Sequence, residues 1–170
     1  MIAHDGAERR LRTWLVTGAS RGLGRAFAEV VLEEGDAVVA TARRPEQVDD
    51  LVSAHPGRVL ALALDVADRA SVLDVVKQAT AWRGRIDVLV NNAGYGLAGA
   101  VEEVTEAQVR EQFEVNVFGA LWCTQAVLPL MREQGGGHIF QVSSVGGVAA
   151  FMNSGIYCAS KWALEGFSES

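Results

Sequence analysis

The sequence predicts an α/β fold: a doubly wound parallel sheet with helices on both faces, formed as one domain over residues 1–170. Three observations predict it. Short apolar runs alternate with longer stretches of helical periodicity. The short runs are almost continuously apolar, as strands buried on both faces of a parallel sheet must be. No Pro/Gly/Ser-rich linker and no internal repeat divides the chain.

The elements follow in order. "RTWLVTG" reads as a first strand, and "RGLGRAFAEVVLEEG" as an amphipathic helix closed by Gly35, a favoured residue just past a helix end. "DAVVATA" is a second strand, "PEQVDDLVSAH" a short helix opened by Pro45, and "RVLALALDV" a third strand. "ADRASVLDVVKQATAWRG" is helical and "IDVLVNN" is a fourth strand. A long helix is predicted over 105–131, started by a capping box of Thr105 and Gln108. Its apolar positions Phe113, Val117 and Leu121 are read as core or helix–helix packing. After a loop at residues 135–137, "HIFQVSS" forms a fifth strand, and a last helix begins near Ser154.

Composition narrows the function. Apolar residues make up 49% and charged residues 21%, ordinary globular usage. No uninterrupted apolar run approaches the ~18 residues needed to span a bilayer, and the N-terminus carries charges before any apolar stretch. These features predict a cytoplasmic protein with no membrane partner. The net charge of −6 opposes binding to nucleic acid, so any anion must be gripped locally. Cys123 and Cys158 read as reduced core thiols, and neither they nor His4, His55 and His138 show metal spacing or a catalytic triad. No metal is expected, and the absence of a Gly-x-Ser-x-Gly elbow counts against a hydrolase.

"TGASRGLG", at residues 17–24, lies where the first strand turns into the first helix. Gly18, Gly22 and Gly24 permit a tight turn, close approach of a phosphate and close helix–strand packing, as in Rossmann-type dinucleotide sites. The pyrophosphate would then lie at a helix N-terminus. No Lys-Ser or Lys-Thr follows the glycines, which disfavours a mononucleotide phosphate loop. NAD-binding versions carry a carboxylate at the end of the second strand, whereas here the strand ends "VVATARR" with Arg43 and Arg44. Arg21 adds another guanidinium near the same ribose, so NADP (NADPH) is favoured over NAD; the alternative is that these arginines are solvated surface charges.

On a helix, residues four apart share a face, so Tyr157 and Lys161 in "YCASK" point the same way. A free phenol, with a pKa of ~10, is a poor base near neutrality, and a nearby ammonium favours its ionised form. Four features now stand in order: "TGASRGLG", "NNAG", Asn116 within the long helix, and Ser144 followed by "YCASK". The arrangement resembles the short-chain dehydrogenase/reductase family over nearly the whole chain.

The resemblance implies an oxidoreductase that interconverts a ketone and a secondary alcohol by hydride transfer. It makes Tyr157 the general acid/base and, with Lys161, a part of the cofactor site. It has Lys161 bind the nicotinamide ribose and favour phenolate, Ser144 hydrogen-bond the substrate oxygen, and Asn116 hold a water linking the lysine to solvent. Gly18, Ser20, Arg21, Gly22, Leu23 and Gly24 would surround the pyrophosphate and adenosine ribose, with Arg43 beside them. Asp65 and Val66 would meet the adenine, and Asn92, Ala93 and Gly94 the cofactor's middle. Ser143 is the serine that the family's spacing does not select. "NNAGYGLAGAVEEV" and "YCASKWALEGFSES" look most like members acting on steroid, retinol or other hydrophobic ketones and alcohols. In the family this helix and the following one commonly form a dimer interface, so the resemblance also implies a homodimer or homotetramer.

Family members usually continue with two further parallel strands and a segment that closes over the substrate, whereas this chain stops within the helix that carries Lys161. The natural protein is therefore expected to be longer, and the present sheet to expose an apolar edge and an uncovered face. A catalytically inactive cofactor-binding regulator and a truncated fragment are the alternative readings.

Overall fold

The computed structural model describes residues 10–170; His4 and the charged leader fall outside them. Strands β1 (Thr13–Val16), β2 (Ala37–Ala42), β3 (Val59–Ala63), β4 (Val88–Asn91) and β5 (His138–Gln141) form one parallel sheet in the order β3-β2-β1-β4-β5. Leu15 of β1 lies opposite Val39 of β2 on one side and Leu89 of β4 on the other. Strand order reverses between β1 and β4, and the carboxyl ends of these strands open the crevice at which such sheets take ligands.

Alternation of side chains across each strand divides the core into two layers. Leu15, Val39 and Leu89 meet Val72, Val75 and Ala79 of α3 (Arg69–Arg83) and Cys123, Val127 and Met131 of α5 (Ala120–Glu133). On the other face, Val16, Val38, Ala40, Val88 and Val90 meet Ala28, Val31 and Leu32 of α1 (Gly22–Glu33) and Leu51 of α2 (Asp49–Ala54). Each fully buried aliphatic side chain contributes about 1.5–3 kcal/mol, so both helical layers are held mainly by apolar burial. Cys123 and Cys158 are buried free thiols, and burial pushes the Cys123 thiol up to about 12.

Several boundaries differ from expectation for local reasons. The stretch after β2 is a 3-10 turn, Pro45–Val48, followed by the single-turn-and-a-half α2, rather than one helix. The predicted long helix is continuous over Glu106–Glu133 but changes pitch: α4 (Glu106–Phe113) passes through a π segment, Glu114–Gly119, before α5. Gly119 permits this course, because a Cβ there would press on Val66 at 2.7 Å. The Thr105–Gln108 capping box forms as read, with Thr105 N–H donating to Gln108 Oε1 at 2.9 Å.

The same helix is also long and apolar enough to bear on the membrane expectation. Over an 18-residue window its mean hydropathy reaches 1.2, so by length and composition it is sufficient to cross a bilayer. Its polar residues are interspersed, so no uninterrupted apolar run marks it. Here the face bearing Val117, Ala120, Cys123, Val127 and Met131 is buried.

Beyond β5 the sheet has no further strand among the described residues. Phe140, stacked on Trp14 with 6.3 Å between centroids, remains 51% exposed. The final helix, α6 (Gly155–Ser168), packs against the turn that follows β5.

Candidate active site

The loops that leave β1 and β4 are bound to each other. Thr17 Oγ1 accepts from Asn92 N at 3.0 Å and from Ala93 N at 2.9 Å, while Asn92 Nδ2 donates to the carbonyls of Thr17 and Gly18 at 2.9 and 3.1 Å. Gly18 has φ +68°, a left-handed conformation that glycine adopts freely. A Cβ on Gly24 would overlap Asn92 Nδ2 and Gly18 O, so the start of α1 can lie against this junction only without a side chain. Arg21, the residue capping α1, makes no side-chain cap, and the first turn carries no acid. Its leading N–H groups are therefore available to an anion, and this uncapped glycine cradle fits a dinucleotide pyrophosphate.

Around the cradle, Arg21, Arg43 and Arg44 are exposed and make no side-chain hydrogen bond or ion pair with another described residue. Arg25, by contrast, is occupied by Glu29 at 2.7 Å and by Asp50. Ser20 and Leu23 lie on the loop and the first turn of α1, with Leu23 55% exposed. Past β3, Asp65 is exposed and turns the chain by accepting from Ala67 N at 3.0 Å, while Val66 is buried beneath Gly119.

Beyond β5, α6 brings Tyr157 and Lys161 to the same side, as their spacing predicts. Lys161 Nζ donates to the carbonyl of Val142 at 2.8 Å and lies 6.0 Å from the centroid of the Tyr157 ring. Burial holds the Lys161 ammonium below the usual lysine range, and the Glu165 carboxylate one turn later pulls the other way. Ser144, three residues past β5, caps the 3-10 turn Val145–Gly147, its Oγ accepting from Gly146 N at 3.1 Å. Ser143 Oγ is buried without a hydrogen-bond partner among the described residues.

Asn116 sits in the π segment, which turns its side chain towards the loop after β4. Its Oδ1 accepts from Tyr95 N at 3.1 Å, and its Nδ2 donates to Tyr95 O at 2.9 Å and to Ser160 Oγ at 3.2 Å. Ser160 Oγ in turn donates to Tyr157 O at 2.7 Å. Asn116 thus ties the loop to α6 beside the Tyr157 backbone. Gly94 runs close by, with a Cβ there 3.1 Å from Asn116 Oδ1.

Sequence reasoning missed two contributors. Gln112, fully buried, donates to Tyr95 O at 2.9 Å and accepts from Leu97 N at 2.8 Å, doubling the grip of Asn116 on the loop. Its place four residues before Asn116, on the same helical face, was the available signal. Thr17 was read only as the start of the glycine motif, although its hydroxyl joins the two loops.

Comparison with known proteins agrees with this geometry. The family model described as short chain dehydrogenase matches residues 12–170. An oxidoreductase of Botryotinia fuckeliana (BOA17) is 48% identical over 158 residues, covering 92% of this chain and 58% of its own. A 3-ketodihydrosphingosine reductase of Bacteroides thetaiotaomicron is 43% identical over 156 residues, covering 92% of this chain and 55% of the relative. The crystal structure of a short-chain dehydrogenase from Streptomyces avermitilis superposes with a TM-score of 0.92 at 49% identity, covering 95% of this chain and 58% of that one. The chain therefore spans a little over half the length of these relatives. With the family model matching nearly end to end and the strand order, glycine cradle and Ser144–Tyr157–Lys161 cluster in place, the chain belongs to the short-chain dehydrogenase family.

Proposed function

We propose that this chain carries the cofactor-binding and proton-transferring part of an NADP-dependent oxidoreductase that interconverts a ketone and a secondary alcohol. The observation that carries the reading is the gathering of Ser144, Tyr157 and Lys161 just beyond β5, with Tyr157 and Ser144 both facing Gly146 and Lys161 held on Val142, in a sheet whose β1 and β4 loops form the glycine cradle.

The nicotinamide supplies or accepts the hydride when bound; the chain's own residues bind, orient and move the proton. Gly18, Ser20, Arg21, Gly22, Leu23 and Gly24 hold the pyrophosphate and ribose through the start of α1. Asp65 and Val66 border the adenine, and Asn92, Ala93 and Gly94 the middle of the cofactor. Arg43 and Arg21, unpaired in the described structure, offer guanidinium groups to a 2′-phosphate, and no carboxylate stands at the end of β2 to repel it. Tyr157 Oη exchanges a proton with the substrate oxygen, which Ser144 Oγ hydrogen-bonds. Lys161 holds its positive charge beside the phenol and the ribose. Asn116 positions the loop and α6 around them.

Exposed Val145, Val148, Phe151 and Met152 follow Ser144 and precede Tyr157, which supports a hydrophobic substrate. The stacked pair Phe118–Trp122 on the long helix, with Phe118 37% exposed, supports a homodimer or homotetramer. Parallel fluorescence titrations with NADPH and NADH test the cofactor reading. NADPH-selective binding supports it; equal affinity for the two, or no binding, overturns it.

A further inference from the structure

We infer that Gly146 is a positioning residue for Tyr157: its N–H fixes the Ser144 hydroxyl, and its missing side chain, opposite that of Gly96, leaves the slot in which the phenol ring stands. The inference rests on the proposed role of Tyr157 as the proton-exchanging group and deepens it.

The slot is visible in what a Cβ would meet. On Gly146, a Cβ would lie 3.2 Å from Tyr157 Cε1, 3.3 Å from Cys158 Sγ and 3.5 Å from Ser144 Oγ. On Gly96, it would lie 3.9 Å from Cδ2 and 4.0 Å from Cε2, the opposite edge of the same ring. Two glycines from different loops therefore bracket the phenol. The Gly96 loop is held in turn by Gln112 and Asn116.

Gly146 has no left-handed backbone torsion, so what the position demands is space. It is buried in the 3-10 turn Val145–Gly147, and its N–H donates to Ser144 Oγ at 3.1 Å. With that lone pair engaged, the serine's own O–H is left free to donate to a substrate oxygen. A methyl group at 146 is tight against two neighbours, Tyr157 Cε1 and Cys158 Sγ, and only in ordinary contact with Ser144 Oγ. Cys158, 2% exposed, is backed by packed interior, and Ser144 Oγ is tied to the very residue that changed. The Tyr157 ring is only partly buried, and even a Cβ on Gly96 would stand 3.9–4.0 Å from its far edge, so the ring has room on that side and is the neighbour that moves. Shifts of a few tenths of an ångström between Tyr157, Ser144 and Lys161 degrade a near-attack arrangement without disturbing the cofactor cradle.

The test compares Gly146→Ala, Gly146→Ala/Cys158→Ala and Gly96→Val with the parent. Readouts are the reduction of 2-decalone as a ketone probe, the NADPH Kd, and NMR of protein carrying [13Cζ]tyrosine. The chain has two tyrosines, so Tyr157→Phe assigns both resonances. In Gly146→Ala, kcat is expected to fall about tenfold while KM and the NADPH Kd stay within about twofold, with the Tyr157 resonance displaced and that of Tyr95 unmoved. Removing the Cys158 thiol gives the methyl somewhere to go and restores part of kcat and the resonance. An unmoved Tyr157 resonance with parental kcat in Gly146→Ala overturns the inference, as does a loss of kcat that the thiol deletion leaves unchanged. Should Gly146→Ala not fold, Gly96→Val presses the ring from an exposed loop, and the same unmoved resonance there is equally decisive. Turnover retained by Tyr157→Phe sinks the underlying reading instead, independently of these outcomes.

Discussion

Lys161 Nζ donates to the carbonyl of Val142 at 2.8 Å while lying 6.0 Å from the centroid of the Tyr157 ring. A backbone acceptor on the strand side thus fixes the ammonium beside the phenol without a direct bond between the two. On the proposed reading, Tyr157 moves the proton and the glycine cradle carries most of the cofactor's grip. Tyr157→Phe is expected to lower kcat by about 10²–10⁴-fold, the usual worth of a positioned acid/base, while the NADPH Kd stays within about threefold. Steady-state assays beside a fluorescence titration check both halves; preserved turnover removes Tyr157 from the mechanism.

Lys161 should show the opposite balance between stability and function. It is 7% exposed, and burial depresses its pKa in the folded state. A lysine depressed on folding binds its proton more weakly in the native state, so below the folded pKa the charged form costs stability. That cost is relieved as pH rises through the folded value towards the unfolded ~10.4. Lys161→Met is therefore expected to keep or raise the thermal midpoint at pH 7, and to lose that advantage by about pH 10, while turnover collapses. Calorimetry at the two pH values decides it; a lower midpoint at pH 7 contradicts the sign.

The strands, the helices around them and the order of chemistry-bearing residues were legible because each rests on local pattern: apolar runs at β1 to β5, the Thr105–Gln108 box, the Tyr157–Lys161 spacing. The π segment was not, since Asn116 and Gly119 owe their pitch to the packing of Gly119 on Val66, a contact 53 positions distant in sequence that leaves no periodic trace. Gln112 escaped although its spacing from Asn116 was readable. A polar residue in a helix is normally solvated, and only the loop at Tyr95 and Leu97 makes it a buried connector.

That connector gives a sharp prediction. Gln112→Leu keeps a comparable volume but leaves Leu97 N without its acceptor, whereas Tyr95 O retains Asn116. One orphaned, largely buried N–H costs about 1–3 kcal/mol. Urea unfolding should report a loss in that range, and hydrogen exchange at Leu97 should rise above that at Tyr95. Equal exchange at the two amides removes the clamp from the account.

Cofactor choice is expected to follow Arg21 and Arg43. Charge-assisted hydrogen bonds contribute roughly 1.5–3 kcal/mol each. Arg21→Ala/Arg43→Ala should therefore weaken NADPH at least about tenfold and leave NADH within about twofold. Because both side chains are exposed, the NADPH loss should shrink as salt rises. Equal losses for the two nucleotides would mean that the arginines act on the shared pyrophosphate rather than on the 2′-phosphate.

At the other end of the sheet, acid stability rests on Asp36 and Asp87, the residues just before β2 and β4. Asp87 accepts from Thr13 N at 2.9 Å and from Arg85 and Arg10, each at 2.8 Å; Asp36 accepts from Arg12 Nε at 2.8 Å and Trp14 Nε1 at 3.0 Å. Burial pushes both carboxyls up, but these donors more than offset it and hold both below the usual range. A carboxyl depressed on folding contributes stability that is complete above the unfolded value of ~3.9 and is lost as pH falls through the folded value. Asp87→Asn should accordingly cost about 1–3 kcal/mol at pH 7, with the gap to the parent narrowing below about pH 4. Urea midpoints at pH 7, 5 and 3 measure it. Since both aspartates lie at the amino ends of their strands, away from the crevice, NADPH affinity at pH 7 should not change; a constant gap at all three pH values would show that packing, rather than charge, makes Asp87 matter.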